Sequence, residues 1–329
     1  MALYSLGANG MGQLGLGHCD DIDKAQKVQL PFEFSGSPKA MVCGGNHTLV
    51  MDSTCQVFVS GSNGKGRLFL SQNISQLETF AKIGKETNIV GIGAGFEHSC
   101  LITNQEVVSH GSNSFNQLGC SEKACSSRLC LAEAPLAVSC GPRTTCVIAE
   151  SGQVWCWGKG HLPSKMEVPP SVKVRQGFYH TVVLTREGFI FTSGKNTFGQ
   201  RGTSGQSTIE QVFGIHGAVV DIQVGWHHCL ALTACGNVWG WGRNDKGQLN
   251  DNKGHISFPV LIPLPGLVKQ IACGAEHSVV LTEDSKVYAW GWNEHGNCGQ
   301  SSQSKPLCLP SKPLQIAAGY GFTLVWCCS

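Results

Sequence analysis

The chain has 329 residues, a formal net charge of +2 and 14% charged residues. A near-neutral chain without a block of lysines and arginines is not expected to bind nucleic acid directly by electrostatics. No run of about 18 apolar residues occurs, so no membrane-spanning helix is predicted. The opening MALYSLGANG lacks the basic and apolar regions of a signal peptide, and we expect none.

The seventeen cysteines at first indicate a disulfide scaffold. Their odd number, the length of the chain and the expected lack of a secretion signal instead favour free thiols in a reducing, intracellular environment. No CxxC pair occurs, and the even spacing of Cys120, Cys125 and Cys130 matches no zinc template, so we expect no metal. Three cysteines that each precede a glycine at the end of an apolar run are expected to be small buried core residues: Cys43, Cys140 and Cys273.

The first element in chain order, LYSLGANGMGQLG, belongs to a pattern that recurs along the whole sequence. An apolar run leads into Gly-x-Asn-x-x-Gly, and successive copies are separated by roughly 50 residues, the period of a repeat fold. The copy VWCWGKGHLP is degraded and short, which predicts a blade with a clipped outer part. The leading glycines of the seven copies are Gly7, Gly61, Gly111, Gly158, Gly194, Gly242 and Gly291.

A second pattern alternates strictly with the first, as in VCGGNHTLVM and ACGAEHSVVL. It reads apolar, Cys or Ala, Gly-x-x-His and Ser or Thr. Thr144 and Phe322 replace the histidine in two copies. We expect a ring nitrogen of each buried histidine to form a hydrogen bond with a backbone group of the turn. The five copies that keep it have His47, His98, His180, His228 and His277.

Each unit, such as SVVLTEDSKVYAWG, reads as two short strands joined by a tight polar turn. One hairpin cannot bury its own apolar faces, whereas seven around an axis bury them and remove exposed sheet edges. We therefore predict that residues 1–329 form a single all-β domain, a seven-bladed β-propeller. The ring is expected to close in one blade, where Met1–Ser5 pairs with Phe322–Cys328.

These motifs, Gly-x-x-His-Ser/Thr followed by Trp-Gly-x-Asn-x-x-Gly-Gln-Leu-Gly, resemble the repeats of the regulator of chromosome condensation family. The resemblance covers essentially the whole chain and implies a seven-bladed propeller. Kelch repeats have a similar period, but their paired-glycine signature does not recur.

Within that family, GANGMGQLGLGHCDDID, VCGGNHT and WGWNEHGNCG are similar to the fungal alpha-tubulin-suppressor or killer-toxin-insensitivity group and to its animal relative, a secretion-regulating exchange factor. The fungal group implies a non-enzymatic scaffold that binds the small metal-binding diphthamide biosynthesis protein 3. It also implies support of diphthamide synthesis on elongation factor 2 and, indirectly, of Elongator-dependent tRNA modification. A cytoplasmic and nuclear location follows from the same resemblance.

The alternative function is guanine nucleotide exchange on a Ran-like small GTPase, the activity of the family's namesake. The namesake uses a wedge inserted in one blade, and here no linker is long enough to suggest a large one. A third possibility, a propeller enzyme or lectin-like binder, needs a polar constellation at the central mouth. No P-loop, nucleophile elbow or recognisable catalytic triad occurs, so we expect a non-enzyme without a cofactor.

The stretch KVYAWGWNEHGNCGQ contains both structural and variable positions of the repeat. Trp290, Gly291, Asn293, Gly296 and Gly299 occupy repeat positions, whereas Trp292, Glu294, His295 and Asn297 are not demanded by the repeat. The Gly-x-x-His and Gly-x-Asn loops should share one face of the propeller, with hairpin turns such as Glu283–Lys286 on the other.

Variable aromatic and charged residues on the shared face have the composition of an interface. The alternative is that each ring packs over its own blade. Asp20, Asp21 and Asp23 either extend this surface or form a solvated loop. Phe96, Glu97, Phe178 and Tyr179 are further variable residues there. The predicted partner-binding residues are Trp226, His227, Glu276, Trp292, Glu294, His295 and Tyr320.

Overall fold

Twenty-seven short β-strands and one 3-10 turn form the regular structure of the described residues, 1–84, 86, 88–252 and 254–328, in the computed structural model. The strands form seven separate antiparallel sheets, six with four strands and one with three. The prediction of an all-β, seven-bladed propeller is confirmed.

Blades are numbered from the first innermost strand, and strands in chain order. Blade 1 comprises Ala40–Cys43 (β3), His47–Met51 (β4), Val57–Ser62 (β5) and Gln76–Lys82 (β6), with the 3-10 turn Gly64–Gly66 after β5. Blade 2 comprises Ile89–Ala94 (β7), His98–Thr103 (β8), Val107–Gly111 (β9) and Ser126–Leu129 (β10). Blade 3 comprises Pro135–Cys140 (β11), Thr144–Ala149 (β12), Val154–Gly158 (β13) and His161–Lys165 (β14).

Blade 4 comprises Ser171–Gln176 (β15), His180–Thr185 (β16), Ile190–Gly194 (β17) and Ile209–Val212 (β18). Blade 5 comprises Val219–Val224 (β19), His228–Thr233 (β20), Val238–Gly242 (β21) and Ile256–Leu261 (β22). Blade 6 comprises Val268–Cys273 (β23), His277–Thr282 (β24) and Val287–Gly291 (β25). Blade 7 comprises Pro313–Ala318 (β26), Phe322–Cys327 (β27), Ala2–Gly7 (β1) and Ile22–Lys27 (β2).

Blade 7 contains strands from both ends of the chain, in the order β2-β1-β27-β26. The register runs from Ala2 opposite Cys327 to Gly7 opposite Phe322. This is the pairing expected from the sequence, and it closes the ring without a covalent link, because it joins strands from the two ends of the chain within blade 7.

The apolar core lies between the blades. Each of the seven buried apolar clusters draws on two neighbouring blades: the cluster with Leu3 and Trp326 of blade 7, for example, also contains Phe58 of blade 1. Apolar surface is thus buried between neighbouring blades, which is why a lone hairpin would not be stable.

The leading glycine of each repeat has a positive φ, as at Gly291 with φ 109°. A Cβ added there would lie 2.7 Å from the backbone oxygen of Glu276 and 3.0 Å from the Cα of His277. Only glycine meets both requirements, since other residues are strained at positive φ and would collide with the preceding loop. The structural reading of this position is confirmed.

The expectation of a clipped outer part in the unit of Gly158 is wrong. Its blade keeps a fourth strand, β14, which pairs directly with β13 from Trp155 opposite Lys165 to Gly158 opposite His161. What the short unit lacks is the long loop between its third and fourth strands. The three-stranded sheet is blade 6 instead.

Two expectations about cysteine are also corrected. Cys146 and Cys156, directly opposite each other on β12 and β13, form a disulfide, although the sequence favoured free thiols throughout. Strand register, which brings residues 10 apart into contact, explains the pair. Cys43, Cys140 and Cys273 are half-buried: each packs against a cluster between two blades but also lines the central cavity, because it ends an innermost strand.

Candidate functional site

The hairpins give the propeller two unlike faces. In blade 6, His277 lies opposite Gly291, so the loops before β24 and after β25 leave from the same end. We call this end of the propeller the loop face, and the end with the β24–β25 turn and its equivalents the turn face. The predicted arrangement of the two kinds of loop is confirmed.

The five repeat histidines connect neighbouring blades close to the loop face. All are at most 1% exposed. The Nε2 of His277 lies 3.1 Å from the hydroxyl of Thr323 in blade 7, and that hydroxyl donates to the carbonyl of Asn297 at 2.7 Å. Equivalent contacts join His47 to Ser99, His98 to Thr145, His180 to the thiol of Cys229, and His228 to Ser278.

This arrangement assigns the histidine tautomer. Because the Thr323 hydroxyl donates to a carbonyl, it accepts from His277, so Nε2 carries the proton. The Nδ1 atoms of all five have no hydrogen-bond partner among the described residues. Burial lowers the pKa of His98, His180, His228 and His277 to about 3, so they are neutral at pH 7. The expected bond to a turn backbone group is therefore wrong: the partner is a side chain of the next blade.

The blade 6 loop confirms most of the predicted division of WGWNEHGNCG into structural repeat positions and variable positions. The side-chain oxygen of Asn293 accepts from the backbone N–H of Cys298 at 2.7 Å. The same bond, five residues apart, fixes the loops of Asn9, Asn63, Asn113, Asn196 and Asn244. Asn297 is not a free variable position, because it is fully buried and donates to the carbonyl of Trp292.

Four aromatic rings meet over the loop-face mouth of the central cavity; we call them the aromatic lid. Phe96 of blade 2 stacks on Tyr320 of blade 7 with centroids 5.4 Å apart. Tyr320 meets Trp226 of blade 5 edge-on at 5.6 Å, and Trp226 meets Phe178 of blade 4 at 5.6 Å. Two of these contacts pass over a blade, and small residues make this possible: Gly45 in blade 1 and Ala275 in blade 6.

The lid rings do not simply pack over their own blades. A Cβ on Gly45 would lie 2.7 Å from the Phe96 ring, so the glycine leaves room for the stack. Backbone hydrogen bonds support it, from the N–H of Trp226 to the Ala275 carbonyl at 2.8 Å and from the N–H of Ala275 to the Tyr320 carbonyl at 3.1 Å. Two predicted partner-binding residues, Trp226 and Tyr320, are thus brought together.

His227 and Glu276 lie beside the lid in a charged network that centres on Arg243. Arg243 contacts Glu276 at 2.5 Å and Asp245 at 2.6 Å. Burial opposes a charged guanidinium, but the hydrogen bond to Asp245 and the charges of both carboxylates outweigh it and raise the pKa of Arg243. Burial, assisted by the Arg243 charge, lowers the pKa of His227 to about 4. His227 is therefore a neutral group at pH 7.

Trp292, Glu294 and His295 form the outer end of the same strip. The Trp292 N–H donates to the Glu276 carbonyl at 2.8 Å, and its ring lies 5.1 Å from that of His295. His295 Nδ1 is 2.6 Å from a carboxylate oxygen of Asp21, so Asp21 extends the surface. Glu294 is exposed at the loop tip. The strip from Trp226 through Tyr320 to His295, with these side chains, is the candidate site.

Sequence reasoning missed several participants. Arg243 follows the Trp-Gly of its repeat, and no sequence pattern marks it as a member of the site. Arg143 lies over the ring of Phe115 at 4.1 Å and Lys195 over that of Tyr179 at 4.5 Å, so cations flank the blade 3–4 side. The aromatic doublet Phe178-Tyr179 was the available signal there. This side is basic and aromatic, whereas the end near Asp21 is acidic.

One set of metal-ligand types meets within the described part of the chain: His98, Cys100 and Cys140, with ligand atoms within 4.8 Å of one another. The hydroxyl of Thr145 lies among them, 2.8 Å from His98 Nε2 and 3.9 Å from Cys100 Sγ. Since that hydroxyl is part of the blade-to-blade connection, this set carries no metal assignment.

A central cavity of about 900 Å³ runs between the inner strands, and Trp226, Tyr320 and Pro142 line its loop-face end. Among the described residues, no helix has the length and apolar composition needed to cross a membrane.

Comparison with known proteins identifies the relatives of this architecture. The secretion-regulating guanine nucleotide exchange factor of Bos taurus is 31% identical over 286 residues, which are 75% of this chain and 61% of that protein. The ultraviolet-B receptor UVR8 of Arabidopsis thaliana is 28% identical over 296 residues, 80% of this chain and 66% of the receptor. The chain thus spans under two thirds of the length of these curated relatives.

Solved structures show the same fold. Human WBSCR16 matches all of this chain and all of its own with a TM-score of 0.88 at 19% identity. Prp20p of Saccharomyces cerevisiae, whose structure was reported with its binding properties to Gsp1p and histones, has a TM-score of 0.86 at 20% identity and covers 98% of this chain and 90% of its own. The family model described as "RCC1-like domain" matches residues 2–325, and the chain therefore belongs to the RCC1-like domain family.

Proposed function

We propose that this chain is a protein-binding propeller whose loop face docks a small GTPase and accelerates release of its bound guanine nucleotide. The observation that carries the proposal is the continuous strip from Trp226 to His295, with aromatic rings at its centre and charged side chains at its edge. The 31% identity to a protein named as an exchange factor supports the choice of partner.

The strip has the physical properties of a binding surface. Aromatic side chains held by neighbouring blades lose little further freedom on binding, so they supply contact area at low entropic cost. Binding energy at interfaces concentrates on such central aromatic residues, while charged groups at the edge favour the correct partner and orientation. Trp292 and Tyr320 would supply the contact, and Asp21 and Glu294 the charge.

The acidic end of the strip suggests how release would be accelerated. A GTPase holds its nucleotide through a loop of backbone N–H groups, a lysine and a magnesium ion, all of which attract anions. The exposed carboxylates of Asp20, Asp21 and Glu294, brought next to that loop, would compete with phosphate for the lysine. Nucleotide affinity falls, and no covalent chemistry by the propeller is required.

The test is the release rate of fluorescent GDP from a Ran-like GTPase of the same species, with and without the propeller. We expect faster release with the wild-type chain. We also expect Trp292→Ala to weaken the effect by about tenfold, the loss typical of a central aromatic contact. Glu294→Arg should slow association, because it reverses an edge charge.

Matched control variants lie on the turn face. Phe189, 51% exposed in a hairpin turn, is the control for the tryptophan as Phe189→Ala, and Glu283→Arg is the control for the charge reversal. Both controls should retain wild-type exchange. Equal losses in the loop-face and turn-face variants would contradict the proposed site, and no acceleration for any Ran-like GTPase would contradict the function.

The resemblance to the fungal group supplies the alternative partner. Under that alternative, the same strip binds diphthamide biosynthesis protein 3, and the complex works in the cytoplasm and nucleus in support of diphthamide synthesis and, indirectly, of Elongator. Calorimetric titration with that protein discriminates the two. One-to-one binding that Trp292→Ala weakens, together with no effect on any GTPase, would replace the exchange proposal with the scaffold.

A further inference from the structure

The turn-face mouth of the central cavity carries a ring of exposed aliphatic side chains. The inner strands of blades 2 to 7 each have a register shift between their first and third residues, as between Ile89 and Gly91 and between Pro135 and Ala137. Such a β-bulge leaves its extra residue unpaired and turns the side chain out of the ladder. Five of the six second residues are aliphatic and 36–55% exposed: Val90, Leu136, Val172, Val220 and Leu314.

The cavity behind this ring is positively charged. Lys39, Lys173, Arg175 and Lys269 line it, and Asp221 is the one carboxylate among its described lining residues. Asp221 is already paired with Lys173 at 2.7 Å. Lys39 and Lys269 lie at the mouth, next to the aliphatic ring, and are exposed.

Arg175 lies deeper and has an unused donor. Its Nε donates to the side-chain oxygen of Gln223 at 3.1 Å and its Nη1 to the Val174 carbonyl at 3.0 Å. Its Nη2 donates to no acceptor among the residues that the structure describes. Arg175 follows the mouth residue Val172 by three positions, which is about 10 Å along an extended strand.

We propose that this cavity binds the C-terminal end of an extended partner peptide, with its free carboxylate on Arg175 and its aliphatic side chains on the ring. An arginine with a free donor in a cavity recognises planar carboxylates. Four members of the aliphatic ring line the mouth end of the cavity, about 10 Å from Arg175 along the strand, so only a ligand that extends from Arg175 to the mouth covers them. Lys39 and Lys269 favour acidic residues further from the peptide end. A small carboxylic acid bound to Arg175 would not reach the mouth and would leave the ring exposed.

The test measures fluorescence anisotropy of a labelled eight-residue peptide, with glutamates in its first half and leucine and valine in its second. The matched control is the same peptide with a C-terminal amide, so this comparison requires no change to the protein. We expect the amide to bind at least about tenfold more weakly, because it removes a charge-assisted hydrogen bond. Arg175→Gln should weaken the free-acid peptide by a similar factor and leave the amide unchanged.

A pair of leucines tests the ring. Leu136 in the ring and Leu267 outside the cavity are 55% and 57% exposed on the same face. Leu136→Ser should weaken peptide binding by about fivefold, the loss expected for one apolar contact, and Leu267→Ser should not change it.

Three outcomes would overturn the proposal. One is equal binding of acid and amide peptides. Another is no binding at about 1 mM peptide, the weak limit of specific recognition. The last is isovalerate that binds as tightly as the peptide with no effect of Leu136→Ser, which would assign the cavity to a small acid.

Discussion

The two mouths of the central cavity belong to the same seven inner strands but are built in opposite ways. At the loop face, rings from separate blades meet over Gly45 and Ala275, and charges such as Arg243 already have partners. At the turn face, aliphatic side chains stand apart on β-bulges, and about 10 Å deeper in the cavity Arg175 keeps a free donor. The loop-face rings pack on one another and Arg243 is paired with carboxylates, so this end offers a preformed surface, whereas the turn-face mouth leaves exposed aliphatic side chains for a ligand to contact.

The buried histidines should make the loop-face end of the structure sensitive to acid. The folded pKa is about 3 for the four histidines other than His47, below the unfolded value of about 6.5, and burial also lowers the pKa of His47. Between these values only the unfolded chain binds the protons, so stability is full above pH 6.5 and is lost as the pH falls towards 3. Each histidine should contribute about 1 kcal/mol per pH unit to the loss.

Urea unfolding between pH 7.5 and 5 measures this slope. His277→Gln should reduce it by about 1 kcal/mol per pH unit, because the amide still donates to Thr323 but does not titrate. His216→Gln, at an exposed position, serves as the control and should leave the slope unchanged. A slope that is the same in all three proteins would contradict the assignment of neutral buried histidines.

A smaller effect should distinguish glycines at the two faces. At the loop face, Gly274→Ala would overlap the His277 ring and the Gly319 carbonyl, and we expect a loss of about 3 kcal/mol in the free energy of unfolding. At the turn face, Gly188→Ala has positive φ but its nearest neighbour is 3.6 Å away, so about 1 kcal/mol is expected. Denaturant midpoints measure both, and equal losses would show that the faces are equally tightly packed.

The smallest effect is the coupling between residues within each mouth. A double-mutant cycle with Phe96→Ala and Tyr320→Leu should give a coupling energy of about 1 kcal/mol, since stacked rings stabilise each other. Leu136→Ala and Leu314→Ala, from separate blades at the turn face, should add with almost no coupling. Coupling at the turn face as large as at the lid would mean that the ring collapses on itself and leaves no docking surface.

The sequence was sufficient to predict the architecture, because the repeat occurs seven times along the chain. Gly291, Asn293 and the phased histidines recur at fixed spacing, and strand alternation predicts which end of each hairpin they occupy. The closing pair of β1 and β27 followed from the hairpin halves found at the two ends of the sequence.

Features that depend on strand register or on contacts between distant blades could not be predicted. A β-bulge changes which way Leu136 points without changing the composition of its strand, although apolar doublets such as Pro313-Leu314 were a sign. The stack of Phe96 on Tyr320 depends on the small residue in the blade between them. The Cys146–Cys156 disulfide needs the register of β12 and β13, which the repeat pattern leaves open.

Two of the seven blade junctions have no imidazole, because Thr144 and Phe322 replace the repeat histidine. Between blades 3 and 4, the Thr144 hydroxyl instead donates to the side-chain oxygen of Gln176 at 2.5 Å. Between blades 7 and 1, the ring of Phe322 belongs to the apolar cluster with Phe58. Protonation therefore weakens five junctions and spares these two. A partly unfolded acid state would retain two blade pairs, 3 with 4 and 7 with 1, as its residual units.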